Sequence, residues 1–355
     1  MSSEPTVFIV GAGASCELNF PIGEKLGSQI SEMSRIRWDS LNRTESPANQ
    51  EFFRLAGFAL SGRDKYLGDT SGVTAKLRKL SEGVHLTYSI DNYLALHSLD
   101  ETLVELGKIA IAYQIADFER GSPLQVFPLN GIHKPRVLPV ATWYGRLFKA
   151  ITSQCKFEDI ADRFRNVCII CFNYDRNIQR FFLLAIQGLY GVNEEKALEA
   201  LKSLPIWHPY GSLGALPGLA EKDTREYGPA LTADSLRAMA GGLKTFTEGC
   251  GGSTGISQSL VAGYMRRANR FVVLGFGFLP DNMKLLKEFM RDIRRSPGEQ
   301  PLVFGTSFQI SEFDRAQHAY QLADLLHTPR QSVHLADTTC ADLFVQFSRA
   351  LRFEN

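Results

Sequence analysis

A glycine-rich stretch that directly follows an apolar run is the first feature of this sequence that could perform chemistry. Val7-Phe8-Ile9-Val10 is followed by Gly11-Ala12-Gly13-Ala14-Ser15, where a buried strand would meet a helix. Glycine lets the backbone approach a pyrophosphate closely, and the N–H groups at a helix start, with the positive end of the helix dipole, favour an anion. The stretch predicts a phosphate-binding loop; a tight strand-to-helix turn without a ligand is the alternative.

This stretch departs from the common dinucleotide-binding pattern G-x-G-x-x-G. The third glycine would fall at Cys16, and an acidic residue that binds ribose should end a second strand about 20 residues further on. Instead, residues 22–34 have helical periodicity, and no β-branched run follows before Val167. The sequence therefore disfavours an ordinary nicotinamide-dependent dehydrogenase.

An amide and a carboxylate follow the next apolar run, in Cys171-Phe172-Asn173-Tyr174-Asp175. At the end of a parallel strand, these side chains would lie at the carboxyl edge of the sheet, where open α/β folds bind their ligands. Asn173 and Asp175 are therefore candidates for a reaction centre. The alternative is that they cap the helix predicted to begin at Arg176.

A histidine and a second pair of glycines extend this candidate site. His208 leads from a short apolar run into Pro209-Tyr210-Gly211-Ser212, and its place at a strand end makes it a candidate general base, although a lone histidine is more often structural. Another apolar run, Val272-Val273-Leu274, ends at Gly275 and Gly277. Two strands that end in glycines predict an elongated ligand that is anchored at two points.

Six apolar runs would have to position these side chains as buried parallel strands. Helical patterns separate most of the runs, which predicts an α/β fold with a Rossmann-like parallel sheet and helices on both faces. The predicted strands are Thr6 to Val10, Val167 to Phe172, Leu204 to Trp207, Phe271 to Leu274, Leu302 to Phe304 and Val333 to Leu335. The predicted helices in this part are Arg176 to Tyr190, one capped by Asp281 that runs to Ile293, one that starts at Ser311 and Asp314, and Cys340 to Leu351.

The segment between the first two strands has almost no strand signal and predicts a large helical insertion. Its strongest helix is predicted from Asp91 to Phe118. The apolar face of that helix comprises Leu94, Leu96, Leu99, Leu103, Leu106, Ile109 and Ile111. Residues 63–72 and 121–134 are predicted loops. We therefore expect a Rossmann-like unit of residues 1–20 and 163–355, and an inserted helical module of residues 21–162 over the carboxyl ends of the sheet.

Composition and charge argue against several classes of protein. The chain has 355 residues, 44% of them hydrophobic, and a formal charge of +1, so no net field favours nucleic acid or an anionic membrane. No apolar stretch approaches the roughly 18 residues that span a bilayer, and no cleavage signal precedes the first strand, which predicts a cytoplasmic protein. Cys168 and Cys171 would point to opposite faces of a strand, so we predict buried thiols there and not a metal site.

In this order along the chain, the motifs resemble those of the sirtuin-like NAD-consuming proteins, in particular the branch that acts in bacterial defence against phage. Gly11-Ala12-Gly13-Ala14-Ser15 resembles the first phosphate-binding loop of that family, and Asn173-Tyr174-Asp175 resembles its N-x-D motif. The stretch from His208 to Leu213 resembles the histidine segment, and Leu274 to Phe278 the second nucleotide loop. Ser89 to Leu94 is similar to a motif in the helical insertion of the defence members.

The sequence also departs from the family pattern in two ways. The family histidine often directly precedes a Gly-Ser pair, and here Tyr210 holds that position, two residues after His208. The deacylase members carry two C-x-x-C pairs for zinc and a G-I-P-D-F-R segment; this chain has a single such pair, and Phe20-Pro21-Ile22-Gly23 lacks the acid and the arginine. Both features of the deacylases are thus missing, which disfavours protein deacylation.

The resemblance implies an NAD glycohydrolase, an enzyme that consumes NAD as its substrate and needs no metal. It implies that Asn173 orients water and ribose hydroxyls, that Asp175 stabilises positive charge near the ribose, and that His208 accepts a proton. The implied NAD-binding residues are Gly11, Ala12, Gly13, Ser15, Tyr210, Ser212, Gly275 and Gly277. An NAD-dependent deacylase or ADP-ribosyltransferase is one alternative, and a non-catalytic module that senses NAD or ADP-ribose is another.

The resemblance also implies a biological role as a toxic effector of abortive infection. Such an enzyme must rest inactive and deplete cellular NAD only when it is triggered. We therefore expect a homo-oligomer and a separately encoded sensor, ATPase or nucleotide signal as partner. We expect no membrane association and no direct binding of nucleic acid.

Overall fold

A six-stranded parallel sheet forms the centre of the protein. The computed structural model describes residues 5–35, 47–61, 70–125, 128–129, 132–133, 137–248, 257–291, 293 and 300–353. The sheet has the order β5-β4-β1-β6-β7-β8, and every pairing in it is parallel. Its strands are β1 (Thr6–Val10), β4 (Val167–Cys171), β5 (Ile206–Trp207), β6 (Arg270–Leu274), β7 (Leu302–Thr306) and β8 (Val333–Ala336); β2 (Pro128–Leu129) and β3 (Ile132–His133) form a separate antiparallel pair.

The six predicted strands and the α/β class are confirmed. All residues of the two strands β1 and β4 are buried, as expected for strands that are covered on both faces. Such strands have continuous apolar sequences, which is why the runs could be recognised. Cys168 and Cys171 both lie in β4 and are buried free thiols, as predicted.

Fourteen α-helices are found in the described part of the chain. Those between β1 and β4 are α1 (Gly23–Met33), α2 (Pro47–Ser61), α3 (Thr70–Gly83), α4 (Ile90–Leu96), α5 (Glu101–Gly121), α6 (Trp143–Thr152) and α7 (Ile160–Arg165). The others are α8 (Asn177–Tyr190), α9 (Glu194–Leu201), α10 (Ala233–Gly241), α11 (Gln258–Arg267), α12 (Pro280–Met290), α13 (Glu312–Leu326) and α14 (Cys340–Gln346). None of the described helices is both long enough and apolar enough to cross a membrane.

The prediction of one long helix from Asp91 to Phe118 is wrong. The segment forms two helices, α4 and α5, and the side chain of Asp100 caps the second by accepting a hydrogen bond from the N–H of Leu103. Leu96 is 68% exposed and Leu99 is 100% exposed, whereas both were expected in the buried face. The helical spacing of apolar residues continues through the turn between α4 and α5. Because a new helix begins after the cap Asp100, Leu96 and Leu99 do not lie on the buried face of α5.

Smaller differences concern the ends of elements. The cap of α12 is Leu279 and its first residue is Pro280, so Asp281 lies inside the first turn. The last helix ends at Gln346, earlier than expected. In the predicted loop 63–72, residues 70–72 belong to α3, and residues 63–69 lie outside the described residues. The predicted loop 121–134 contains the end of α5 and the short strands β2 and β3. Its residues 126–127, 130–131 and 134 lie outside the described residues.

Helices from the segment between β1 and β4 share one apolar core with the sheet. Trp143 of α6 donates its indole N–H to the carbonyl oxygen of Ala14, and the carboxylate of Glu119 in α5 is paired with Arg176 just after β4. These contacts connect the segment to the loops that follow two central strands. The expected division into a Rossmann-like unit and an inserted module stays a prediction.

Candidate functional site

A cavity of about 890 Å³ opens at the carboxyl edge of the sheet. Its wall is built from the loops that follow β1, β4, β6 and β7 and from residues of α1 and the start of α4. The volume lies within the range of small-molecule sites, roughly 300–1,000 Å³. Nine of the predicted site residues contribute to the wall: Gly11, Ala12, Gly13, Ser15, Asn173, Asp175, Tyr210, Gly275 and Gly277.

The two glycine loops touch each other across one end of this cavity. The N–H of Gly13 donates to the carbonyl oxygen of Gly275 at 3.0 Å, and a Cβ atom on Gly11 would lie 2.6 Å from that same oxygen. Gly275 has φ +54°, and a Cβ atom on it would lie 2.0 Å from the nitrogen of Ala14. These glycines are therefore required for the two loops to pack, whether or not a ligand is bound.

Backbone N–H groups that a phosphate-binding loop would offer to its ligand already make hydrogen bonds within the protein. The N–H groups of Gly11, Gly13 and Ala14 donate to the carbonyl oxygens of Leu274, Gly275 and Gly11 respectively. The segment that follows β1 is a 3₁₀ helix, Ala12–Leu18, and the first α-helix begins only at Gly23. A phosphate at this loop would have to use other donors, and phosphate binding stays a prediction.

Asn173 connects the loop after β4 to the first glycine loop. Its Nδ2 donates to the carbonyl oxygen of Gly11 at 3.1 Å and to Oγ of Ser15 at 2.8 Å. The residue is 7% exposed, and its Oδ1 is buried without a hydrogen-bond partner. Because most buried polar atoms in proteins are paired, this acceptor on a residue of the cavity wall points to a hydroxyl or water as its missing donor.

Asp175 is held by two donors at the floor of the cavity. Its carboxylate accepts a hydrogen bond from Oγ of Ser15 at 2.8 Å and another from the N–H of Asn177 at 3.1 Å. Burial raises the pKa of the carboxyl from 3.8 to about 6, against the opposing effect of those hydrogen bonds. The hydrogen bond from Asn177 lies at the start of α8, so Asp175 also contributes to capping this helix, as the alternative interpretation of the sequence expected.

His208 does not line the cavity. It is fully buried, and its Nδ1 lies 2.8 Å from the carbonyl oxygen of Asn173, while its Nε2 lies 3.0 Å from Nε2 of Gln179. A carbonyl oxygen only accepts, so Nδ1 carries the proton and the lone pair of Nε2 faces the amide of Gln179. Burial lowers the pKa of His208 to about 4. This geometry favours a neutral residue that holds the backbone of Asn173; its expected role as a base stays a prediction.

The histidine segment contains two other predicted site residues, Tyr210 and Ser212, and they differ in position. Tyr210 lines the cavity and donates its hydroxyl to Oδ1 of Asn282 at 2.7 Å. Ser212 is 2% exposed and is not part of the cavity wall. The structure thus brings Tyr210 to the site, whereas it keeps His208 and Ser212 behind it.

Sequence reasoning missed several residues of the wall. Thr306 is the last residue of β7, and its Oγ1 accepts the N–H of Gly275 at 2.8 Å. Ser307 follows it, and Oγ of Ser307 is buried without a partner. Asp91, at the start of α4, also lines the cavity, and the hydroxyl of Tyr174 donates to it. The cap Ser89 before α4 and the small polar residues at the end of β7 are signals that could have pointed to these positions.

The charge of the wall is acidic. Its ionisable side chains include Glu17, Glu24, Asp91, Asp175 and Asp281, and neither lysine nor arginine is among the described residues that form it. In the described ranges, no group of three His, Cys, Asp or Glu residues is arranged to hold a metal ion.

Comparisons of the chain with known proteins found no similar protein. No family model matches the chain, and neither a curated protein nor a solved structure was found to be similar to it.

Proposed function

We propose that this protein is an NAD glycohydrolase, which cleaves the bond between nicotinamide and ribose to release nicotinamide and ADP-ribose. One observation carries the proposal: the unpartnered Oδ1 of Asn173 in the wall of a cavity that also contains both glycine loops. That acceptor fits a ribose hydroxyl or a water molecule. The resemblance of Asn173-Tyr174-Asp175 to the N-x-D motif supports the same assignment.

The size and charge of the cavity support an elongated, partly cationic substrate. A volume of about 890 Å³ is close to the upper end of small-molecule sites, roughly 300–1,000 Å³, as an extended dinucleotide requires. The nicotinamide ring carries a positive charge, and cleavage of its bond to ribose spreads that charge over an oxocarbenium-like sugar. An acidic wall stabilises such a charge more in the transition state than a neutral wall would.

Each residue near Asn173 has a specific role in this proposal. Asn173 orients the water and the ribose, and the carboxyl of Asp175 holds Ser15, which in turn accepts from Asn173. His208 acts as a positioning residue through the carbonyl oxygen of Asn173. The two glycine loops and Tyr210 surround the remainder of the dinucleotide.

We also propose the biological setting that the resemblance implies. The enzyme would act as a toxic effector in defence against phage and would rest inactive until a separately encoded sensor, ATPase or nucleotide signal releases it. Control by a homo-oligomer belongs to the same proposal.

The test is an NAD-turnover assay with the purified protein, with nicotinamide and ADP-ribose quantified separately. We expect both products in equal amounts without an added acceptor. Asn173→Ala should abolish their release, while Asn193→Ala, which removes a helix cap of α9 at a cost of about 1 kcal/mol, should retain it. This control separates loss of the site from a general loss of stability.

Two other outcomes would favour the alternatives. Cleavage that depends strictly on an acylated peptide or on a protein acceptor would indicate a deacylase or an ADP-ribosyltransferase. Tight binding of NAD without cleavage, in the isolated protein and in infected cells alike, would indicate a sensing module.

A further inference from the structure

We infer that Asp91 is the catalytic base of this site and accepts the proton of the attacking water. The inference rests on the proposed NAD hydrolysis and assigns to α4 a catalytic role that neither the motifs nor the resemblance gives it. Two observations support it. The other candidate bases already make hydrogen bonds within the protein, and Asp91 is hydrogen-bonded to Tyr174 in the loop that carries Asn173.

The obvious candidates for a base are occupied. Both nitrogens of His208 are engaged behind the cavity wall, by the carbonyl oxygen of Asn173 and by Gln179. The carboxylate of Asp175 accepts from Ser15 and from the backbone of Asn177. Each carboxylate oxygen of Asp175 already accepts a hydrogen bond from the protein, so its lone pairs are less available to a water molecule than those of a free carboxylate.

Glu17 is disfavoured as a base on the same ground. One of its carboxylate oxygens accepts the N–H of Trp143 at 2.7 Å, and the other accepts the N–H of Ala341 at 2.8 Å. It therefore joins two helix starts, those of α6 and α14, although it also borders the cavity. Its arrangement is that of a structural carboxylate.

Asp91 differs in its connection to the reaction centre. Its Oδ1 accepts the hydroxyl of Tyr174, the residue between Asn173 and Asp175, and the side chain lines the cavity. Ser89 accepts the N–H of Asn92 and so fixes the first turn of α4, in which Asp91 lies. The carboxylate is thus positioned by both its own helix and the loop that carries Asn173.

The surroundings of Asp91 suit a base that works near neutral pH. Burial raises its pKa from 3.8 to about 6, the charge of Asp281 raises it further, and the hydrogen bond from Tyr174 lowers it. The helix α4 packs against α1, α5 and the turns 84–86 and 246–248. The ionisable residues of these elements include Glu24 and Lys25 in α1, His85 in the turn 84–86, Lys108 in α5 and Glu248 in the turn 246–248, and Lys108 pairs with Glu248.

The proposed step balances without a further reactant. Water donates a proton to the carboxylate of Asp91 as its oxygen forms a bond to C1′ of the ribose. The bond from C1′ to nicotinamide breaks, and its electron pair stays on the ring nitrogen, which becomes neutral. Asp91 then returns the proton to solvent, so the net products are nicotinamide, ADP-ribose and one proton.

The experiment measures NAD cleavage from about pH 4.5 to about pH 8.5 for the wild-type protein and for Asp91→Asn, Tyr174→Phe and Asp281→Asn. Asp91→Asn keeps an oxygen that accepts from Tyr174 but cannot take a proton. We expect it to lower turnover by about 100-fold or more, with the Kd of NAD little changed and the rise in rate near pH 6 abolished.

The other two variants identify which group titrates, because Asp175 also has a pKa of about 6. Tyr174→Phe removes the hydrogen bond that lowers the pKa of Asp91, so the rise in rate should move to higher pH. Asp281→Asn removes a negative charge that raises this pKa, so the rise should move to lower pH. Neither Tyr174 nor Asp281 is among the groups that shift Asp175, and a purely structural role of Asp91 would not move the profile.

The result that overturns the inference is an Asp91→Asn protein that cleaves NAD within about threefold of the wild-type rate and keeps the same pH profile. In that case NAD hydrolysis itself stands and its base lies elsewhere. If a correctly folded wild-type protein cleaves no NAD at any pH, alone or in infected cells, the proposed function fails and the inference fails with it.

Discussion

The imidazole Nδ1 of His208 lies 2.8 Å from the carbonyl oxygen of Asn173. This contact makes the histidine a support for the residue that carries the unpartnered amide oxygen in the cavity wall. It also separates two roles that the sequence could not distinguish, a base and a positioning residue, and two substitutions tell them apart.

We predict that His208→Asn retains much more NAD cleavage than His208→Ala. The Nδ2 of asparagine takes approximately the place of Nδ1 and can still donate to the carbonyl oxygen of Asn173, whereas alanine leaves that buried oxygen without a partner, at a cost of about 1–3 kcal/mol. Turnover assays on the two variants provide the measurement. If both are equally inactive although folded, His208 is a base after all.

His208 also gives a pH dependence of stability with a definite sign. Its pKa in the folded protein is about 4, below the ordinary 6.5, so the unfolded chain binds the proton more readily. The resulting stability is complete above about pH 6.5 and is lost as the pH falls towards 4, by up to about 3 kcal/mol. Urea unfolding at pH 7 and pH 5 should show a larger loss for the wild type than for His208→Asn; equal losses would contradict the buried neutral state.

Contact between the glycine loops predicts unequal effects for two glycines of the same loop. Gly275→Ala would put a methyl group 2.0 Å from the nitrogen of Ala14 at φ +54°, so we expect a loss of stability of about 3 kcal/mol or more, or failure to fold. At Gly277 a Cβ atom would meet its nearest neighbour, Leu279, at 3.9 Å, and alanine there should change stability by about 0.5 kcal/mol or less. Urea unfolding of the two variants checks this; equal stabilities would refute the packing of the loops.

Removal of one partner from the buried ion pair of Glu119 and Arg176 should strongly destabilise the protein. The two side chains are 0% and 1% exposed, and the Glu119 carboxylate also accepts the N–H of Gly228. Glu119→Gln leaves the guanidinium buried without its counter-charge, so we expect a loss of about 3–5 kcal/mol in the free energy of unfolding. Asp324→Asn, which breaks the exposed pair with Lys287, is the control and should cost about 1 kcal/mol or less.

How far the sequence determines the fold can be seen from particular elements. β1 and β4 are buried on both faces and are therefore continuous apolar runs, which only a strand or a buried helix explains. Leu96 and Leu99 keep the helical spacing of their neighbours but lie at a turn that the cap Asp100 creates. The spacing of apolar residues thus indicates which side chains would share a helix face if the helix were continuous. A local cap such as Asp100 determines whether it is continuous.

The site was predictable only in part, for a related reason. A residue at a strand end is placed at the edge of the sheet, which located Asn173 and Asp175, but the direction of the side chain depends on what packs around it. His208 points into the protein because Gln179 and the carbonyl oxygen of Asn173 hold it there. Asp91 belongs to the motif Ser89 to Leu94, but the motif does not reveal its contact with the site, because the partner Tyr174 lies 83 positions away in the chain.

The most direct test of the account compares NAD levels with wild-type protein and with Asn173→Ala, first with the purified proteins and then in bacterial cells infected with phage. The account predicts that the wild type converts NAD to nicotinamide and ADP-ribose in at least one of these settings and that Asn173→Ala does so in neither. Loss of NAD at the wild-type rate with Asn173→Ala, or intact NAD with the wild type in both settings, would contradict it.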